Sequence, residues 1–463
     1  MPPLIALLFC GGAVFCLLRN EQRQLKGVSR LSWIPTLWML YYAGKPLGRW
    51  LDPHGDIDDA AGSPADRYFL LTLIAAAIYI ISKRRLHWRN HLHSSAPFVC
   101  LLAYMMVSCV WSPTAASSFK QWVRVLGSML MALVILTEKE PTQVLQSIFR
   151  RTTYIFIPLS ATLIKYYPDL GVEYRDWNGE KFWVGACLQK NGLGRLCLVC
   201  TIFLVWTFIR RWKKREGPTW KHQNKVEIAL LLTIGWLLRG PGNNYPMTAI
   251  AVLFLCAGLL VLLLALKRPI AERVYGGVAI ATVSLGLIMA FMSVTGTIPS
   301  MGTESLGRDA TFTGRVDIWN GVRQVAWQSP IFGVGYAGYW SKHHEFPNVG
   351  IVNEGHNGYL DTFVETGAIG LILLLFSFIS YAKKANREKG FDFDWASFRI
   401  VFLLMLLLHN FTESSLLRAS THLWVLYIYM YVMFPMRRRA VAAPSRASAA
   451  DFTPPHSTAM GAA

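Results

Sequence analysis

Residues 247–266 read Met-Thr-Ala-Ile-Ala-Val-Leu-Phe-Leu-Cys-Ala-Gly-Leu-Leu-Val-Leu-Leu-Leu-Ala-Leu, a run of 20 residues without a charge. An α-helix needs about 20 predominantly apolar residues to cross the hydrocarbon core of a bilayer, so this stretch decides the fold class. The rest of the chain repeats the signal. Of 463 residues 53% are hydrophobic, 13% aromatic and only 16% charged, where soluble domains carry about a quarter charged. Apolar windows fall at 4–18, 31–44, 67–82, 96–111, 122–136, 152–167, 192–209, 227–240, 247–266, 274–295, 367–382, 400–411 and 420–436. The expected fold is all-α, a polytopic transmembrane helix bundle. It has about 13 spans, or 12 if the first window lies in the interface.

The net charge of +19 would suggest a nucleic-acid partner in a soluble protein, but 30 of the 46 Lys and Arg fall in alternate inter-helix segments. These are 19–30, 83–93, 137–151, 210–225, 267–273, 383–399 and 437–446. That is the positive-inside pattern, and it makes nucleic acid unnecessary as the cause of the basicity. It puts 45–66, 112–121, 168–191, 240–247, 296–366 and 412–419 on the outer side. Met1-Pro2-Pro3 lacks the basic start of a signal peptide, so the first window reads as a retained span with its N-terminus outside. Cys10, Cys16, Cys100, Cys109, Cys197, Cys200 and Cys256 sit in apolar runs, and Cys197-x-x-Cys200 reads as packing rather than metal ligation.

Four segments follow. Residues 1–295 hold about 10 spans, 296–366 form one large, partly helical loop on the outer side, 367–436 hold about 3 spans, and 437–463 form a disordered cytoplasmic tail. The loop draws the functional reading, because spanning helices are constrained mainly by apolarity and packing. Within it Thr313 reads as an N-cap, and Val316, Trp319, Val322 and Ala326 recur at near-helical spacing until Ser329-Pro330. Arg315 then sits in a first helical turn and shares one ridge with Trp319 and Arg323, a favourable place for a phosphate. The alternative is that Arg315 pairs with Asp309 or a lipid headgroup. Gly333-Val334-Gly335-Tyr336 reads as a turn returning the backbone to the membrane, not as a dinucleotide fingerprint.

Asn353-Glu354-Gly355-His356 leads into the span beyond Gly367, which puts His356 at a helix start. The dipole there disfavours imidazolium and leaves a neutral histidine able to accept a proton, or simply a capping group. Asp361 and Glu365 are first-turn acids that orient partners or complement the dipole, and Gly367 and Gly370 read as close-packing glycines. Lys190, Arg195 and Arg239 stand at outer boundaries against the positive-inside bias, either to hold phosphate or to snorkel. Asp56-x-Asp58 is a D-x-D on the outer side and reads as a solvated turn; Asp392-x-Asp394 flanks a cytoplasmic helix start.

With both loop constellations in hand, the sequence resembles the O-antigen ligase and polymerase superfamily of bacterial membrane glycosyltransferases, most of all its exopolysaccharide-polymerase, ExoQ-like branch. The resemblance rests on Leu306-Gly307-Arg308-Asp309-Ala310-Thr311-Phe312-Thr313-Gly314-Arg315-Val316-Asp317-Ile318-Trp319, on Gly333 to Tyr336, and on His356-Asn357-Gly358-Tyr359-Leu360-Asp361 through Glu365-Thr366-Gly367. It implies transfer of a glycan from an undecaprenyl-diphosphate carrier to an acceptor hydroxyl, at the periplasmic face of the inner membrane, with no cofactor and no metal. It implies Arg315 on the diphosphate and His356 as base. Arg239, Lys190, Arg195, Arg323, Arg308 and Tyr359 are assigned to diphosphate or substrate binding, with Trp319, Asn357, Asp361 and Glu365 supporting. The family often carries a further arginine near a Ser/Thr-rich run, where this chain has Asn243-Asn244-Tyr245-Pro246-Met247-Thr248, so Arg239 fills that role only by position.

The implied partners are an undecaprenyl-diphosphate-linked oligosaccharide, the bilayer, and chain-length regulator and export proteins, with no nucleic acid. The leading function is a polymerase of lipid-linked repeat units, with a ligase acting on lipid A-core or protein as the alternative. A flippase or transporter is the rival from another class. Transport would place paired ionisable or helix-breaking residues at mid-membrane depth, whereas here they gather at the outer boundary.

Overall fold

The computed structural model describes residues 2–25, 27–53, 62–84, 93–174, 179–214, 220–242, 244–297, 315–342, 344–346 and 350–434. Arg308, Thr313, Asp56, Asp58 and the tail 437–463 lie outside them. Each apolar window is occupied by a helix: α1 (Pro3–Gln24), α2 (Trp33–Ala43), α3 (Pro64–Lys83), α4 (Ala96–Ser108), α5 (Ala115–Leu136), α6 (Pro141–Tyr166), α7 (Lys190–Lys214), α8 (Trp220–Arg239), α9 (Met247–Ala265), α10 (Arg268–Thr295), α12 (Gly358–Glu388), α13 (Phe393–Thr412) and α14 (His422–Val432). The loop helix α11 (Arg315–Ala326) lies between α10 and α12. Two short antiparallel hairpins, β1 (Val172–Tyr174) with β2 (Lys181–Trp183) and β3 (His344–Phe346) with β4 (Gly350–Val352), decorate the connections. Among the described residues, 8 helices are long and apolar enough to cross a membrane.

Three windows that read as spans hold helices shorter than a bilayer is thick, α4 with 13 residues among them. Helices α2 and α14 have 11 residues each, about 16 Å at 1.5 Å per residue, or half the hydrocarbon core. Helix α14 is tolerated because protein surrounds it, and every residue from His422 to Val432 is at most 5% exposed. Its Tyr429 Oη donates to Pro35 O of α2 at 3.1 Å, and Tyr427 Oη meets Ser377 Oγ of α12 at 2.7 Å. The free carbonyls at its far end receive Arg399 of α13, whose guanidinium donates to Met430 O at 2.5 Å and Met433 O at 3.0 Å while pairing with Glu388 at 2.7 Å. A buried cation is thus spent on a helix end that water cannot reach.

Helix α12 is interrupted. Gly367 has φ +62°, a left-handed conformation inside a helix that apolarity alone would make continuous. The segment 330–335 lies against the break and takes up its backbone groups. Val334 N donates to Val364 O and Gly335 N to Glu365 O, both at 2.9 Å, while Ala368 N donates to Pro330 O at 2.8 Å. Tyr104 Oη of α4 adds a donor to Thr366 O at 3.0 Å. Unpaired peptide groups are costly in a membrane, so a break persists only where protein re-satisfies it. This corrects one sequence reading, since Gly367 is a helix break rather than a glycine for helix packing, while Gly333 to Tyr336 is a turn, with both glycines at positive φ, that docks on that break.

Candidate active site

The starts of α7, α9, α11, α12 and α14 converge with the ends of α10 and α13, the ends that the alternation of basic segments assigns to one face. The start of α12 is fixed by Asn357. Its side-chain carbonyl accepts from Tyr359 N and Leu360 N at 3.2 and 3.1 Å, its amide donates to Ser293 Oγ of α10 at 2.9 Å, and its own N–H donates to Ser414 Oγ at 3.0 Å. Gly355 and Gly358 flank this cap with no room for a side chain, since a Cβ would stand 2.2 Å from Asp361 and 2.3 Å from Asn410 respectively.

Glu413, the residue that ends α13, is the centre of the cluster. Its Oε1 lies 2.9 Å from Arg315 Nη2, and Arg315 Nη1 donates to the Thr412 carbonyl at the same helix end. The Asn191 amide of α7 donates to both carboxylate oxygens, at 2.9 and 3.1 Å. The Glu413 carbonyl accepts Gly358 N at 3.0 Å, so the same residue ties α13 to the start of α12. Trp319, one turn after Arg315 on α11, is buried and donates from Nε1 to Gly355 O at 2.8 Å, which locks α11 onto the segment carrying His356.

His356 lies just before the helix start, next to the Asn357 cap, and its backbone is left-handed at φ +49°. Its Nδ1 stands 3.2 Å from Glu354 Oε1 and 3.5 Å from Glu413 Oε2, which leaves Nε2 as the nitrogen for chemistry. Burial works against the charged imidazole, but Glu354 and Glu413 outweigh it and raise the His356 pKa above its ordinary value. The expected direction is therefore corrected: the two carboxylates raise the His356 pKa where the dipole of a helix start would lower it. Glu413 moves the other way. Burial would raise it, yet the neighbouring His356 imidazole and the Arg315 charge bring it down to about 2.

A second chain of charges backs the first. Arg418 Nη2 pairs with Asp361 Oδ2 at 3.0 Å, and its Nη1 faces Glu354 Oε2 at 3.7 Å. Asp361 also accepts Ser414 Oγ at 2.6 Å and Gly355 N at 3.3 Å. Among the described residues the non-glycine positions with positive φ are Ala337 (50°), His356 (49°) and Leu417 (56°). Each presents a group of this cluster: Ala337 N donates to the Glu365 carboxylate, and Leu417 immediately precedes Arg418. Strain of this kind costs on the order of 1–3 kcal/mol per residue and collects at functional sites.

Glu354, His356 and Glu413 place ligand atoms within 4.8 Å of one another, a spacing a divalent cation could use. Arg315 at 2.9 Å from Glu413 and Arg418 at 3.7 Å from Glu354 face two of the same carboxylates.

Of the residues singled out in the sequence, Arg315, Trp319, His356, Asn357 and Asp361 meet in this cluster. Arg195 joins it from α7, with Glu354, Glu413 and Arg418 as charged neighbours. Glu365 lies one turn beyond Asp361 and holds the backbone of Ala337 and Trp340. Four others go elsewhere. Arg323 turns away from Arg315 to the end of α10 beside Gly296. Lys190 lines a small hollow with Trp183, Leu237 and Asn244, its ammonium 4.6 Å from the Phe182 ring centre. Arg239 is exposed at the end of α8. Tyr359 is fully buried, and its hydroxyl is committed to Leu407 O at 3.0 Å, a packing position. Sequence reasoning passed over Glu354, Glu413 and Arg418. Arg418 carried a usable signal, being a cation at an outer boundary like Arg195.

Comparison with known proteins bears on this arrangement. Residues 246–375 match the family described as O-antigen ligase, a stretch that contains both Arg315 and His356. Over this stretch the chain is similar to the O-antigen ligases. It is also 27% identical over 309 residues to the exopolysaccharide production protein ExoQ of Rhizobium meliloti (strain 1021), covering 62% of this chain. The alignment spans 65% of that relative, just under two thirds of its length. Glu413 and Arg418 lie beyond the family match, in the connection between α13 and α14.

Proposed function

We propose that this protein is a membrane glycosyltransferase that joins undecaprenyl-diphosphate-linked repeat units into an exopolysaccharide at the periplasmic face of the bacterial inner membrane. The observation that carries the reading is the shared carboxylate: Glu413 touches Arg315 at 2.9 Å and faces His356 at 3.5 Å, so a fixed cation and a base stand side by side at one membrane boundary. Resemblance to an exopolysaccharide production protein supports the same product class. Chain-length regulators and exporters are the partners this role implies. Both the long loop 296–366 and the short connection 412–419 furnish the site.

In the reaction, the acceptor hydroxyl oxygen forms a bond to the anomeric carbon of the donor sugar as the bond from that carbon to the diphosphate oxygen breaks. The hydroxyl proton passes to His356 Nε2, and the electron pair of the broken bond leaves on undecaprenyl diphosphate. Arg315 faces that developing charge, with Arg195 and Arg418 nearby, and preorganised donors of this type contribute about 3–4 kcal/mol each. General-base assistance adds roughly 10²–10⁴ in rate. The arginines do the electrostatic work without a metal.

The test is incubation of purified protein with a lipid-linked repeat unit, with and without chelator. Elongation is expected in both, and is expected to be lost in Arg315→Ala and His356→Ala. Full elongation by either variant sinks the assignment. The matched family's description favours a second reading, a ligase moving finished glycan to lipid A-core or protein. A deletion strain that accumulates single carrier-linked units supports the polymerase, and one that accumulates long carrier-linked chains supports the ligase.

A further inference from the structure

The two oxygens of Glu413 are unequally employed. Oε1 is held tightly, by Arg315 at 2.9 Å and by the Asn191 amide at 2.9 Å. Oε2 has the same amide at 3.1 Å and only a long contact of 3.5 Å to His356, which stands closer to Glu354 at 3.2 Å. Glu354 is in turn drawn toward Arg418 at 3.7 Å. Glu413 is thus bound to the cation and merely near the base, and Asn191 grips both of its oxygens as a pivot between them.

We infer that Glu413 is a positioning residue that couples donor binding to the base: a diphosphate that takes over the Arg315 guanidinium hands the carboxylate to His356. The inference rests on the reading of Arg315 and His356 given above. Before the donor arrives, Arg315 is held by Glu413 and the Thr412 carbonyl, so its own charge is paired. The guanidinium also weakens the base, because its charge disfavours imidazolium. An incoming diphosphate offers Arg315 a bidentate anion of higher charge, which competes with one carboxylate. Glu413, relieved of that pairing, then tightens on His356 Nδ1, fixing the tautomer that keeps Nε2 free to take the hydroxyl proton. The base is strengthened only where a sugar is ready to be transferred.

The groups that bear on this exchange come from every neighbouring element. Glu354 and Arg315 face His356, while Arg315, Arg195 and His409 face Glu413 and Arg418 backs Glu354. None but Arg315 is a partner that the donor displaces.

The experiment measures transfer against pH with purified protein and a lipid-linked repeat unit, separating kcat, which reports the base in the donor complex, from kcat/KM, which reports it in the free enzyme. In the wild type the acidic limb of kcat lies at higher pH than that of kcat/KM. In Glu413→Gln the two limbs draw together, the kcat limb falls by about one unit or more, and kcat drops about tenfold or more while the donor KM stays level or falls, since Arg315 is no longer occupied. Asn191→Ala keeps the charge and removes the pivot, so it narrows the same gap with a smaller loss of kcat. It decides the matter if Glu413→Gln does not fold. Wild-type limbs in both variants, with a raised donor KM, overturn the coupling and leave Glu413 a structural residue. Arg315→Ala and His356→Ala run alongside: if either keeps wild-type transfer, the underlying reading has failed rather than the coupling.

Discussion

Arg315 and Glu413, 98 residues apart in the chain, meet at 2.9 Å where the start of α11 crosses the end of α13. The guanidinium closes two open valences at once, the Glu413 carboxylate and the Thr412 carbonyl that α13 cannot satisfy internally. Because Glu413 is 5% exposed and Arg315 18%, each is a liability without the other.

Stability of the pair is therefore expected to be non-additive. Arg315→Met and Glu413→Gln each strand a charge and lower the stability of the detergent-solubilised protein by about 3–5 kcal/mol. The double variant loses less than the sum by about 1–3 kcal/mol. Thermal unfolding of the four proteins measures this, and strict additivity counts against a direct pair.

The second pair makes a parallel case. Arg418→Met leaves Asp361, whose side chain is 4% exposed, without its cation and is expected to cost about 3–5 kcal/mol. Adding Asp361→Asn returns part of that loss, since an amide can still accept from Ser414 Oγ. Equal unfolding temperatures for the single and double variants would falsify the pairing.

His356 and Glu413 carry opposite pH signatures. The folded-state pKa of His356 is raised, so its contribution to stability is fully present below the unfolded value and is lost as pH rises through the folded value. The Glu413 pKa is depressed to about 2, so its contribution is present above the unfolded carboxylate value and is lost as pH falls toward 2. Unfolding temperature against pH should fall on the alkaline side in the wild type and flatten there in His356→Gln, while Glu413→Gln flattens the acid side. A His356→Gln curve that retains the alkaline fall places its origin in another group.

The left-handed backbone at His356 separates geometry from chemistry. Asparagine tolerates φ near +50° better than alanine does, so His356→Asn should unfold above His356→Ala while both lose transfer. Calorimetry and the elongation assay together check this, and equal unfolding temperatures argue that the backbone strain is relieved in the variants.

At the break in α12, Gly367→Ala adds a Cβ that stands 2.3 Å from Ile331 O at φ +62°, and the expected loss is about 1–3 kcal/mol or more. Gly258→Ala in α9 is the control, because nothing lies within 4 Å of its added Cβ, and it should be neutral or stabilising by up to about 1 kcal/mol. Comparable losses at both positions would show that helix packing, not the break, sets the requirement for glycine.

Much of the site could be read from the chain because its signals are local. Arg315 and Trp319 stand one helical turn apart, and His356 and Asn357 precede a span, so spacing alone brings each group to a helix start. Glu413 and Arg418 sit in a connection too short for periodicity, and their roles appear only when that connection folds over the start of α12. Arg323 shows the converse: it shares a helix ridge with Arg315 yet serves the end of α10, because a ridge follows the helix surface while the neighbours beneath it change. Helices α2 and α14 looked like spans because apolarity records burial, and burial in protein reads the same as burial in lipid.

What the sequence by itself determined is the all-helical membrane fold and the places along the chain where its helices fall. The bilayer imposes these through local quantities, the length of each apolar run and the charge of its flanks. What only the tertiary structure decided is which groups answer one another: Arg315 with Glu413, His356 with Glu354 and Glu413, and the break at Gly367 with the segment 330–335. A buried charge or an open peptide group must be matched within about 3 Å, and the matching group is supplied by whichever distant segment packing brings there.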